Sequence, residues 1–156
     1  HCDGLDATAY PSGVMGSQVE MTESAAPLTV WRRELRPDSG GAGKFRGGHG
    51  QIIEISSSEE APFQLAAALD RITYPARGRA GGGPGRNGVL RLKSGTSMNG
   101  KGEQDIPPDD RLWVETPGGG GYGNPAERYP ALIEADIRSG LVSADAAKRD
   151  YGTDHG

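Results

Sequence analysis

Three glycine-dense blocks interrupt this chain, and they restrict its fold more than any other feature. Arg36–Gly50 reads RPDSGGAGKFRGGHG, Gly81–Gly88 reads GGGPGRNG and Pro117–Gly123 reads PGGGGYG. The first holds six glycines between two strand-like stretches. An ordered glycine loses more conformational entropy than any other residue, so reversing direction does not by itself call for such density. Glycines this crowded imply left-handed backbone, or main chain pressed closely against something else. We expect that surface to lie in a part of a larger protein absent from this chain.

Glycine makes up 26 of 156 residues and proline 11. No Gly-X-Y period exists and apolar runs survive between the glycines, so collagen and plain disorder both fit poorly. The length suits one domain with a real core, and the pattern predicts short strands joined by elaborate loops. A net charge of −4 with mixed signs gives no support to a nucleic-acid partner. No apolar run approaches the roughly 18 residues of a membrane span, and no signal peptide is visible. The single cysteine, Cys2, rules out an internal disulfide and fits a reducing, cytoplasmic setting; beside so few histidines it is a poor candidate nucleophile. The chain opens at His1 without an initiator methionine, and its first residues read like mid-sequence, which predicts a fragment lacking its N-terminal neighbour.

The expected fold class is α+β: a mainly antiparallel β body over residues 1–123, a helical segment over 124–152 and a disordered tail at 153–156. Strands are predicted at Val19–Glu23, Leu28–Leu35, Gln51–Ser56, Phe63–Arg71, Val89–Lys93 and Arg111–Thr116. In the second, Leu28 and Val30 share one face while Thr29, Trp31 and Arg33 share the other. Phe63–Arg71 has helical composition, but the alternation of Phe63, Leu65, Ala67 and Leu69 favours a strand. Asn124-Pro125 is a helix-start signal, after which Leu132, Ile133 and Ile137 fall on one helical face and Gly140 stops the helix. Ser143 then caps a short helix, Ala144–Tyr151, closed by Gly152.

Gly118, Gly120 and Gly123 satisfy G-x-G-x-x-G between a strand and a helix. No second strand and no acidic residue about twenty positions on complete a dinucleotide unit, so a tight connection is the better reading. No glycine block ends in the G-K-[ST] of a phosphate loop. His1, Asp3 and Asp6 approach a metal-ligand spacing, but an exposed polar turn is favoured; His49 is expected to be a solvated loop histidine and His155 inert. Arg36, Asp38, Lys44 and Arg46 crowd one loop. Arg36 and Asp38 either help clamp a carboxylate or phosphate or serve as turn cap and solvated cation, while Lys44 is read as solvated. Trp31 and Trp113 cover a second layer, an interface or the core.

RPDSGGAGKFRGGHG with the QIIEI that follows it resembles a block of the hydantoinase B/oxoprolinase family. TPGGGGYGNPAER at Thr116–Arg128 and GLVSADAAKRDYG at Gly140–Gly152 are similar to two further hallmarks. DGLDATAYPSG at Asp3–Gly13, VEMTE at Val19–Glu23 and DRITYPARGRAGG at Asp70–Gly82 match in order as well. The resemblance runs from Asp3 to Gly152. It implies part of an ATP-dependent enzyme that opens cyclic amides such as 5-oxoproline or N-methylhydantoin, with ketone carboxylases among its relatives. An A-type companion, fused or separate, binds ATP and phosphorylates the substrate, and the B-type half handles the activated intermediate. B-type proteins are much longer, so the chain resembles their C-terminal third or less. The divalent metal of the complete enzyme is then held N-terminal to this segment, which carries no cofactor site of its own.

A phosphorylated imidate has a good leaving group and an electrophilic carbon, so water must be delivered and oxyanion charge stabilised. The expected catalytic residues are Arg36, Asp38 and Ser39, with loop amides drawn from Gly40, Gly41, Gly118, Gly119, Gly120 and Gly121. Rival readings are an assembly module for the A-type companion, a fragment of a ketone carboxylase and a free-standing nucleotide-binding domain.

Overall fold

The computed structural model describes residues 2–8, 16–59 and 61–152; His1, His155 and the 153–156 tail lie outside it. Among the described residues, six strands form two antiparallel sheets: β1 (Leu28–Leu35), β2 (Gln51–Ser57), β3 (Phe63–Ala68), β4 (Val89–Leu92), β5 (Lys101–Ile106) and β6 (Leu112–Glu115). The larger sheet has the order β1-β2-β6-β4 and the smaller pairs β3 with β5. Three helices, α1 (Val19–Ala25), α2 (Pro130–Arg138) and α3 (Ala144–Tyr151), complete the α+β fold, with a 3-10 turn at Pro125–Glu127.

The two sheets meet over Leu90, Leu92, Leu112 and the fully buried Ile106, flanked by Phe63, Leu65, Ala67 and Leu69. The alternation in β3 therefore does mark a strand. The strand β5 was not foreseen: KGEQDI carries one apolar residue, and its place is set by the backbone ladder from Phe63↔Ile106 to Ala68↔Lys101. Val19–Glu23 is helix α1 and not a strand. Glu, Met and Ala favour the helix, and Pro27 holds Ala26 extended and ends it.

A register shift between Val30 and Arg32 interrupts the alternation of β1 and turns Trp31 out to 54% exposure. Arg32 then joins Glu54, Trp113 and Arg91 in a row across all four strands. The Trp113 ring is buried beneath Arg32, Arg91 and Lys93, whose charged ends lie 5.4, 4.7 and 4.6 Å from its centre. In the helical segment Asn124 caps the 3-10 turn through Ala126 N–H, and α2 starts later, at Pro130. Ile133 and Ile137 face α3, but Leu132 turns to solvent. Ser143 caps α3 and Gly152, at φ +68°, closes it.

The glycine blocks make a second interior out of main chain. Gly41 N–H donates to Gly119 O at 2.8 Å and Gly119 N–H to Gly48 O at 2.9 Å. Gly83 N–H reaches Ala42 O at 2.7 Å, Gly121 N–H reaches Gly83 O at 2.9 Å, and Arg86 N–H reaches Ser39 O at 2.8 Å. The three segments approach so closely that a methyl on Gly118 would overlap the Ser39 carbonyl oxygen, and one on Gly121 that of Ala42. The surface the glycines press against is thus supplied by the other glycine blocks of the same chain.

Candidate functional site

The lattice places the predicted residues differently from one another. Ser39 is fully buried; its hydroxyl donates to Arg36 O at 2.7 Å and accepts from Gly50 N–H at 3.0 Å. It pins the first block into a closed loop. Asp38 stands at φ +56°, its N–H donating to Leu141 O and its Oδ1 accepting from Ser143 N–H at 2.7 Å. This ties the loop to the α2–α3 connection. Arg36 is held at Glu115 by a 2.8 Å ion pair and donates to Asn87 O at 2.6 Å. Burial lowers the Arg36 pKa, Glu115 opposes that and the nearby Arg86 charge adds to it.

Arg36, Asp38 and Gly40 share a cavity of about 720 Å³ with Arg86, Arg149 and Asp150. Its walls come from the first and second glycine blocks and from α3. Of the candidate oxyanion donors, the amides of Gly41, Gly118, Gly119 and Gly121 already donate to carbonyls of the chain, whereas those of Gly40 and Gly120 make no such bond among the described residues. Only Gly40 of these two borders the cavity.

A buried ionic network lies on the other flank of the first block. The Arg128 guanidinium bridges Asp3 at 2.7 and 2.8 Å and Asp136 at 2.7 Å. Arg46 joins Asp136 at 3.2 Å to Asp6 at 2.9 Å. His49 is only 3% exposed, so it is not the solvated histidine expected from its glycine-rich surroundings. Its N–H and its Nδ1 meet Asp6 Oδ1 at 2.7 and 3.0 Å, while Nε2 is buried without a partner among the described residues. Asp3 and Asp6, expected in an exposed polar turn, belong to this network instead. Burial raises the Asp6 carboxyl, but hydrogen bonds from Arg46 and His49 outweigh it and hold the pKa at about 2. The divalent metal that the resemblance implies finds no donor set: no three His, Cys, Asp or Glu side chains converge among the described residues. Lys44 is exposed as expected, although paired with Glu127 at 3.0 Å.

Sequence reasoning missed Arg86 and Arg149 at the cavity, and Arg128 and Asp136 in the network. Arg86 sits inside a glycine block already conspicuous for its composition. Arg128 and Asp3 are 125 positions apart, and no local pattern signals such a pair. No helix among the described residues is long and apolar enough to cross a membrane.

Comparison with known proteins agrees with this architecture. The chain is 36% identical over 150 residues to the caprolactamase beta subunit of Pseudomonas jessenii, matching 89% of this chain and 25% of that protein. It is 31% identical over 135 residues to 5-oxoprolinase 1 of Arabidopsis thaliana, covering 78% of this chain and 10% of the relative. The crystal structure of ATP-dependent caprolactamase from Pseudomonas jessenii superimposes with a TM-score of 0.77 at 26% identity, over 97% of this chain and 30% of that one. The chain therefore spans about a quarter of the length of the curated caprolactamase relative and about a tenth of the oxoprolinase. The hydantoinase B/oxoprolinase family matches residues 1–125, and this chain belongs to that family.

Proposed function

We propose that the chain forms the C-terminal part of an ATP-dependent hydrolase of cyclic amides, acting on an intermediate that an A-type partner has activated by phosphorylation. The observation that carries this reading is the cavity beside the glycine lattice, where Gly40, whose amide has no acceptor among the described residues, and Arg36 border one space. Water adds to the imidate carbon and the tetrahedral oxygen gathers charge; the ring C–N bond then breaks, its nitrogen leaving as the protonated amine, and a second water hydrolyses the resulting acyl phosphate to carboxylate and inorganic phosphate. A rigid amide and a desolvated cation stabilise such charge without reorganising. Asp38, with Oδ1 held by Ser143, offers its second oxygen to the attacking water. Ser39 acts as a positioning residue, because its hydroxyl is engaged on both sides.

The complete protein with its A-type companion provides the test. Arg36→Ala is expected to leave substrate-dependent ATP consumption in place while slowing release of the opened product by about a hundredfold. Arg36→Lys restores part of that rate, and thermal melting checks that the fold survives each change. Unchanged product release in Arg36→Ala would remove the cavity from the reaction.

A further inference from the structure

We propose that this cavity is an anion-binding subsite, with Arg86 as the group that takes the phosphoryl or carboxylate oxygens of the reactant. The inference rests on the cavity being the reactive site and names the chemistry of what enters it. Three arginines and two aspartates border the space. Asp150 clamps Arg149 through two bonds of 2.8 Å, Glu115 holds Arg36 from behind, and Asp38 accepts from the Ser143 amide. Arg86 alone among these arginines has no carboxylate partner among the described residues.

Part of the wall's main chain is already satisfied. The carbonyls of Arg36, Ala42, Gly83, Arg86 and Asn87 each accept a hydrogen bond within the chain. Two donors on this wall, the Gly40 amide and the Arg86 guanidinium, have no acceptor among the described residues, while the second Asp38 oxygen is an acceptor on the same wall that opposes an anion. Arg86 is also fixed at its base, since its N–H donates to Ser39 O at 2.8 Å and its carbonyl accepts from Gly118 N–H at 3.1 Å. The Arg86 side chain is exposed and gives up rotamer freedom on binding, but its base is fixed and its guanidinium fork fits a planar carboxylate or a phosphate edge. Arg36 borders the same space, its charge largely offset by Glu115.

Isothermal titration calorimetry of the full chain with inorganic phosphate, and separately with acetate, tests this. Saturable binding of either anion is expected, weakened about tenfold by Arg86→Ala, partly recovered by Arg86→Lys, and weaker at high salt. Preference for phosphate points to the phosphoryl group as the natural occupant, and preference for acetate to a substrate carboxylate. Lys101→Ala, which removes a cation on β5 paired with Asp70, should leave binding unchanged. Absence of saturable binding to both anions, or equal binding by wild type and Arg86→Ala, overturns the proposal. Because no turnover is involved, that failure is separable from a failure of the hydrolase assignment: Arg36→Ala could still lose product release while neither anion binds.

Discussion

The molecule has two interiors built on opposite plans. Between the sheets, Leu90, Leu92, Ile106 and Leu112 fill space with side chains, and stability there follows buried apolar area. Among the glycine blocks the filling is main chain, and order rests on amide-to-carbonyl bonds between segments far apart in sequence. The first plan tolerates loss of volume at a graded cost. At Gly40, Gly41, Gly118, Gly120 and Gly121 the second has no room for a single added carbon, because the neighbouring atom is backbone that cannot swing aside.

Small substitutions in the two interiors should separate them sharply. Gly118→Ala, whose methyl would overlap the Ser39 carbonyl oxygen, is expected to cost about 4 kcal/mol and to lower soluble yield. Leu90→Ala between the sheets should cost about 3 kcal/mol yet leave a folded protein, as read by urea denaturation. Asp136→Ala, which strips a carboxylate from both Arg46 and Arg128, should cost about 3 kcal/mol because buried guanidinium charge is left under-compensated. Gly95→Ala meets no atom within 4 Å, although φ is +106°. It should cost only about 1 kcal/mol, the penalty of left-handed backbone alone. A Gly95 variant as damaging as the Gly118 variant would mean that glycine is needed here for its torsions and not for its size.

Acid offers a milder probe of the lattice flank. The folded Asp6 carboxyl, at about 2, lies below its usual 3.8, and Asp3 is lowered as well. Folding therefore favours the ionised forms, a contribution fully present above about pH 4 and lost as pH falls toward 2. Asp6→Asn should flatten the decline of melting temperature across that window while lowering stability at neutral pH.

How much of this could be read from residues alone follows from the same contrast. Strands β1, β2, β3, β4 and β6 were legible because alternating or β-branched side chains record burial on one face. Strand β5 was not, since backbone pairing to β3 needs no apolar signature. Helix α1 was misread where a short V-E-M-T-E run suits either period. The glycine blocks announced close approach, but a residue without a side chain carries no mark of what it approaches. Composition alone therefore points outside the chain, whereas the partner lies 40 or 80 positions away within it, as in Gly41 with Gly83 and Gly121. At the site, Arg36 and Asp38 stood out through local crowding. Arg86 and the Asp3–Arg128–Asp136–Arg46–Asp6 chain depend on contacts across the whole sequence, and His49 owes its burial to the same distant partners.

Amide hydrogen exchange resolved at single residues tests the glycine lattice most directly. The amides of Gly41, Gly83, Gly119 and Gly121 should be protected to the degree of those pairing β2 with β6, while Gly40 and Gly120 exchange far faster. Exchange of all six glycines at the rate of open loops would contradict a backbone-filled interior and return these blocks to the status of connections.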